Sequence, residues 1–105
     1  MARIRLLKPD FFFDEDLAEI SMAARLAFEG LWVQADKKGR LEDRPKYLKA
    51  TIFPYNDVDM NALLDELAGY NKKVPFITRY TVGDKKYIQI NNFLKHQNPH
   101  HTEKD

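Results

Sequence analysis

Two prolines and a run of leucines between residues 43 and 71 constrain this chain more than any other feature. Pro45 suits the first turn of a helix, where a missing N–H costs nothing and φ is already helical. Phe53 precedes Pro54, and the residue before a proline is pushed out of the α region, so that helix should stop there. Asp57 is a suitable N-cap for a second helix. In that helix Met60, Leu63, Leu64 and Leu67 fall at i, i+3, i+4 and i+7, one apolar stripe, and Gly69 with Asn71 closes it. Helix, short turn and helix is the helix-turn-helix arrangement, whose second helix can enter the major groove of DNA.

The flanking residues supply the rest of a fold. Residues 1 to 13 read as extended, because Pro9 discourages a helix around it, and Phe11, Phe12 and Phe13 should include at least one core anchor. Asp14 can cap a short helix through Glu19. Ser21 caps the main helix, expected over residues 22 to 37, with Ala24, Ala27, Phe28, Leu31, Trp32 and Ala35 as its buried stripe. Arg25 and Glu29 stand at i and i+4 on the other side, a modest surface pair. Gly30 in mid-helix costs about 1 kcal/mol relative to Ala and is most simply explained by close packing of another element. Lys37 and Lys38 suit the last turn, where cations complement the helix dipole, and Gly39 is placed to end the helix. Residues 39 to 43 can form a small edge strand with Leu41 inward.

Residues 76 to 82 and 86 to 91 are rich in β-branched and aromatic side chains. Gly83-Asp84 between them fits a two-residue hairpin turn with glycine first. That register pairs Tyr80 with Tyr87 on one face and Ile77 with Ile90 on the other, turns Ile88 and Ile90 to the core and puts Lys85 and Lys86 at the tip. Phe93 and Leu94 are candidates to dock on the core, and the chain beyond Pro99 should fray. The resulting organisation is an N-terminal extension with a short helix (1–20), a central domain (21–94) and a flexible C-terminal tail (95–105). Helix, strand, helix, helix, strand, strand is the order of a winged helix, an α+β fold in which a helix-turn-helix is backed by a C-terminal β-hairpin wing.

A chain of 105 residues makes one domain, able to bury about 65% of its unfolded surface. Its 44% hydrophobic content, with seven Phe, five Tyr and one Trp, belongs to a folded protein. With no cysteine there is neither a disulfide framework nor a thiolate metal site, which fits the cytoplasm. No apolar run approaches the roughly 20 residues that span a bilayer, and the apolar run after Arg3 is too short for a signal-peptide core. The net charge of +1 announces no nucleic-acid partner by itself. Its distribution says more: Lys37, Lys38, Arg40, Arg44, Lys46 and Lys49 outweigh Glu42 and Asp43, whereas Asp57, Asp59, Asp65 and Glu66 make the second helix of the pair acidic.

Several strings also resemble a known family. Met1-Ala2-Arg3-Ile4-Arg5, Lys8-Pro9-Asp10-Phe11-Phe12, Ala24-Arg25-Leu26-Ala27-Phe28-Glu29-Gly30-Leu31-Trp32, Gly39-Arg40-Leu41-Glu42-Asp43, Phe53-Pro54-Tyr55, Tyr87-Ile88-Gln89-Ile90 and Phe93-Leu94-Lys95-His96-Gln97 are similar to the N-terminal domain of phage-encoded replisome organisers, the DnaD-like winged-helix group. The likeness runs from Met1 to about His101. It implies a winged-helix fold, a phage or prophage source acting in the bacterial cytoplasm, and a role near replication initiation, through origin DNA or helicase loading. Such proteins often carry a linker and a further domain, so the chain is either a truncated form or a stand-alone module.

The candidate site follows from charge. DNA binding needs cations facing phosphates and polar side chains reaching base edges. Arg44, Lys46 and Lys49 on the first helix of the pair and Lys85 and Lys86 on the wing are the candidate phosphate contacts. Asn61 is the one side chain on the second helix suited to reading adenine. Asp59, Asp65 and Glu66 on that helix would meet the phosphate field unfavourably, so its simplest reading is a solvated face or a docking surface. Phe12, Asp65 and Glu66 are the candidate partner-binding residues, for self-association or a replisome protein. No catalytic constellation stands out. His96, His100 and His101 lack a fourth ligand of the kind zinc prefers, and Pro99 breaks the helix that would align them. The expectation is therefore a non-catalytic module that binds double-stranded DNA, with no cofactor, metal, membrane or small-molecule substrate. The alternative is an adaptor that binds only protein.

Overall fold

The computed structural model describes residues 3–70 and 75–97. Along them run α1 (Asp10–Phe13), α2 (Glu15–Ala18), α3 (Met22–Gln34), β1 (Arg40–Glu42), α4 (Pro45–Ile52), α5 (Met60–Gly69), β2 (Ile77–Val82), β3 (Lys85–Ile90) and α6 (Phe93–His96). From α3 onward the expected order of helix, strand, helix, helix, strand, strand is present. The three strands form one antiparallel sheet in the order β1-β3-β2. The result is a small α+β domain.

The hairpin register agrees with the sequence expectation: Tyr80 lies opposite Tyr87, and Ile77 opposite Ile90. Gly83 sets it by taking φ +64°, the backbone that a glycine-first two-residue turn needs. β1 adds to the far side of β3 with Leu41 opposite Ile88, so Leu41 joins Ile77, Ile88 and Ile90 on the face that packs against the helices. The stripe of α3 is buried through Ala24, Ala27, Phe28, Leu31 and Trp32, and α5 buries Met60, Leu64 and Leu67 against it. Gly30 is where α4 crosses α3. A Cβ there would sit within 2.6–2.7 Å of three Ile52 side-chain atoms.

Several boundaries differ from the expectation. The cap of α5 is Asp59, whose carboxylate accepts from Ala62 N–H, and not Asp57. Met60 is 3% exposed; its burial fixes the first helical residue, and the residue just before it becomes the cap. Gly69 is the last helical residue, not a left-handed cap, and Asn71 lies outside the described residues. Pro9 begins the one-turn helix α1 instead of forbidding it. Asp14 caps α2 as expected, through the amides of Asp16 and Leu17.

α3 ends at Gln34, three residues before the expected limit. Lys37 and Lys38 therefore lie beyond its last turn. Asp36 instead organises the turn into β1, its carboxylate accepting from the amides of Lys38 and Arg40 and from Arg40 Nε. Gly39 is not a helix cap. At φ +81° it brings the backbone against Phe93, whose Cβ would lie 2.6 Å from any Cβ added there.

The last carbonyls of α3 are satisfied from a distant part of the chain. Arg3 Nη1 donates to Ala35 O at 2.8 Å, and Arg5 Nε donates to Trp32 O at 2.9 Å. These are the orphan acceptors of a helix C-terminus, where cations are favoured. The same N-terminal arm is held from the other end of the chain. Leu6 N–H donates to Gln97 Oε1 and Gln97 Nε2 donates to Leu6 O, both at 2.9 Å, so the amide side chain pairs with the backbone as a strand would. Gln97 is buried, and residues 93–96 are helical, so the expected tail does not begin at residue 95. Phe93 docks on the core, whereas Leu94 is exposed. Pro99 and the residues after it lie outside the described residues.

Candidate nucleic-acid interface

The site is built where β1 runs into α4. Asp43 ends the strand pairing: its N–H donates to Lys86 O at 2.9 Å, fastening the start of α4 to the base of the hairpin. Arg44 follows as the N-cap residue of α4, and Pro45 occupies the first turn. Lys46 is exposed on that turn, and Lys49 is half-buried one turn on. The Arg44 guanidinium lies over the Tyr47 ring, 4.7 Å from its centroid. Lys85 and Lys86 are exposed beside the Gly83-Asp84 turn. One backbone bond thus ties the start of the cationic helix to the strand that carries the wing lysines. Among the described residues none of these five forms an ion pair.

Two of the nearby acids, Asp43 and Asp65, share one internal cation. Asp43 is buried, and Arg79 grips it with Nε to Oδ2 at 2.6 Å and Nη2 to Oδ1 at 3.0 Å. The same guanidinium reaches Asp65 Oδ1 at 2.7 Å and Asn61 Oδ1 at 2.8 Å. Asp43 holds Arg79 protonated beyond its already high ordinary range, against the opposing effect of partial burial. β1, α5 and β2 are locked by this one side chain.

The lock changes the standing of the α5 candidates. Asn61 is exposed, but its carbonyl oxygen is committed to Arg79. Asp65 is held by the same arginine. Glu66 accepts from both Ser21 N–H (2.7 Å) and Ser21 Oγ (2.9 Å), at the N-terminus of α3. Two of the three partner-binding candidates, Asp65 and Glu66, thus join parts of the same domain. The third, Phe12, is 69% exposed, with Phe11 edge-on beneath it and buried against Trp32.

Arg79 and Asp43 were absent from the sequence-derived candidates, yet a signal existed. Strand alternation puts Arg79 on the same face as Ile77 and opposite Ile88, and an arginine turned toward a core needs a buried acceptor. Gln97 carried no such local signal.

A cleft of about 410 Å³ opens beside the N-terminal arm, lined by Phe11, Phe28, Trp32, Tyr70 and Phe76, with Asp10, Asp14 and Asp16 among its polar residues. Two of those carboxylates are engaged, Asp14 in capping α2 and Asp16 with Tyr70 OH. Among the described residues no group of three or more His, Cys, Asp or Glu side chains is placed to hold a metal ion. The side chains of His96, His100 and His101 lie outside the described positions. No helix among the described residues is long and apolar enough to cross a membrane.

The arrangement offers exposed cations on α4 and the wing, while the carbonyl oxygen of Asn61, the base-reading candidate, is held by Arg79. No family model, curated protein or solved structure matches this chain.

Proposed function

We propose that the domain is a winged helix whose α4 and wing lysines contact the phosphates of double-stranded DNA with little choice of sequence. The reading is carried by the Asp43 N–H bond to Lys86 O, which joins the chain just before Arg44 and Lys46 to the backbone of the wing that bears Lys85 and Lys86. The element order and the Arg79 lock support it. The lock pairs Asp43 and Asp65 with a cation, and it occupies the Asn61 and Asp65 side chains that a base-reading α5 would need free. α5 is then a structural brace and not a reader. Such binding would serve replication initiation or its control, without catalysis, as the resemblance to phage replisome organisers implies.

Charge reversal tests the surface. Lys85→Glu with Lys86→Glu, and separately Arg44→Glu with Lys46→Glu, should weaken binding to every duplex alike and flatten its salt dependence. Undiminished affinity in both variants would remove the duplex surface from these residues.

A second reading is favoured by a different observation. Phe12, Phe13, Met22 and Leu26 are each more than half exposed on the N-terminal side of the domain, and exposed apolar side chains in number suit a protein partner. The domain would then be an adaptor that docks a replisome protein or a second copy of itself. Phe12→Ser with Phe13→Ser should abolish such an association and leave duplex affinity unchanged.

A further inference from the structure

The geometry points to a second nucleic-acid surface: the outward face of the sheet is a stacking platform for the unpaired bases of single-stranded DNA. This inference does not rest on the duplex reading.

Alternation along the three strands sends Leu41, Ile77, Arg79, Ile88 and Ile90 toward the helices. It sends Tyr80 and Val82 of β2, Tyr87 and Lys85 of β3, and Arg40 and Glu42 of β1 the other way. None of these outward residues belongs to the core cluster or packs against it. Tyr80 and Tyr87 are cross-strand neighbours with ring centroids 5.8 Å apart and planes only 30° from parallel. Both are half-exposed although no element from the helical side covers them. They form a near-parallel, part-exposed aromatic pair on the face turned away from the helices.

The surroundings fit a polyanion with planar rings. One row toward the turn stands Lys85, opposite the exposed Val82. One row the other way stands Arg40, across Gln89, with its guanidinium ion-paired to Asp36 at 3.1 Å. Glu42 beside Tyr87 and Asp36 on Arg40 are the opposing carboxylates, which leaves Lys85, among the described residues, as the cation nearest the rings without an ion pair. Aromatic rings in a cationic setting are how sequence-tolerant single-strand binders hold successive bases. Selectivity among bases is not built in. The Gln89 amide is committed to the carbonyls of Lys38 and Ile90 at 3.0 Å each, and Thr78 Oγ1 to Asn91. The face therefore takes bases by stacking, and a pyrimidine strand free of its own structure is the simplest occupant.

The test is anisotropy of fluorescein-labelled oligo(dT) with the full chain at low salt. The variants are Tyr80→Phe with Tyr87→Phe, and Tyr80→Leu with Tyr87→Leu. Stacking needs the ring and not the hydroxyl. The Phe pair should bind within about twofold of the unaltered chain, and the Leu pair at least about tenfold more weakly, while duplex affinity is the same in all three. The inference is overturned if the unaltered chain does not bind oligo(dT), if the Leu pair binds as well, or if the Phe pair loses as much as the Leu pair. Far-UV circular dichroism checks that the Leu pair is folded. If it is not, ring-proton NMR of the unaltered chain decides: Tyr80 and Tyr87 should move upfield on adding oligo(dT), and unmoved rings would reject the platform. Duplex binding without oligo(dT) binding, or the reverse, separates the two surfaces.

Discussion

Arg79 closes on the Asp43 carboxylate with two hydrogen bonds, and the Asp43 side chain is left 4% exposed. A buried carboxylate gripped in this way is strongly destabilising once its cation is removed. Arg79→Leu should cost about 2–4 kcal/mol, read as a lower urea midpoint. The added replacement Asp43→Leu should return part of that loss, because no charge is then stranded. Arg79→Leu with an unchanged midpoint would show that the grip contributes nothing.

Gly30 and Ile52 should behave as a coupled pair. Alanine in a helix interior normally gains about 1 kcal/mol over glycine. Here the new Cβ overpacks three Ile52 atoms, a strain worth about 1–3 kcal/mol. Gly30→Ala should therefore destabilise or leave stability level, never raise it, whereas Gly30→Ala in an Ile52→Ala background should be stabilising. Thermal unfolding of the four chains closes the cycle.

How much of this was legible in the chain depends on whether the cause was local. Pro45 and the Phe53-Pro54 step placed α4, Gly83 placed the hairpin register, and Gly30 announced a close approach, each through its own backbone. The end of α3 was not legible. Its apolar stripe runs on through Ala35 and its lysines suit a last turn, but the carbonyls there are taken by Arg3 and Arg5, which are more than 25 residues away in sequence. Asp57 and Asp59 are chemically equal as caps, and only the burial of Met60 decides between them. Of the candidate site, the lysines were visible as charge. What they lie beside was not, because it depends on the pairing of Asp43 with Lys86.

The N-terminal arm should loosen when Gln97 is changed. Gln97→Ala removes two part-buried hydrogen bonds to Leu6, for a loss of about 1–2 kcal/mol. Hydrogen exchange at the Leu6 amide reads the effect directly: slow in the unaltered chain and fast in the variant. Equal exchange in both would mean that Arg3 and Arg5 hold the arm alone.

Glu29 supplies a pH dependence of known sign. Its half-burial on α3 raises its pKa above the ordinary 4.5 by desolvation. A carboxyl whose folded pKa is raised contributes stability that is full below the unfolded value and lost as pH rises through the folded one. Glu29→Gln should match the unaltered chain in stability below pH about 4 and exceed it progressively from about 4.5 upward, as judged against the ordinary glutamate range. Urea midpoints at several pH values check it, and a gap that narrows with rising pH would reverse the assignment.

Salt dependence tests the central claim most directly. A labelled random duplex titrated with the unaltered chain at low and at physiological salt should show affinity falling steeply, with a log–log slope of about −0.9 for each phosphate contacted. Five candidate cations set a slope of a few units at most. No binding even at low salt would contradict duplex contact by α4 and the wing, and would favour the adaptor reading.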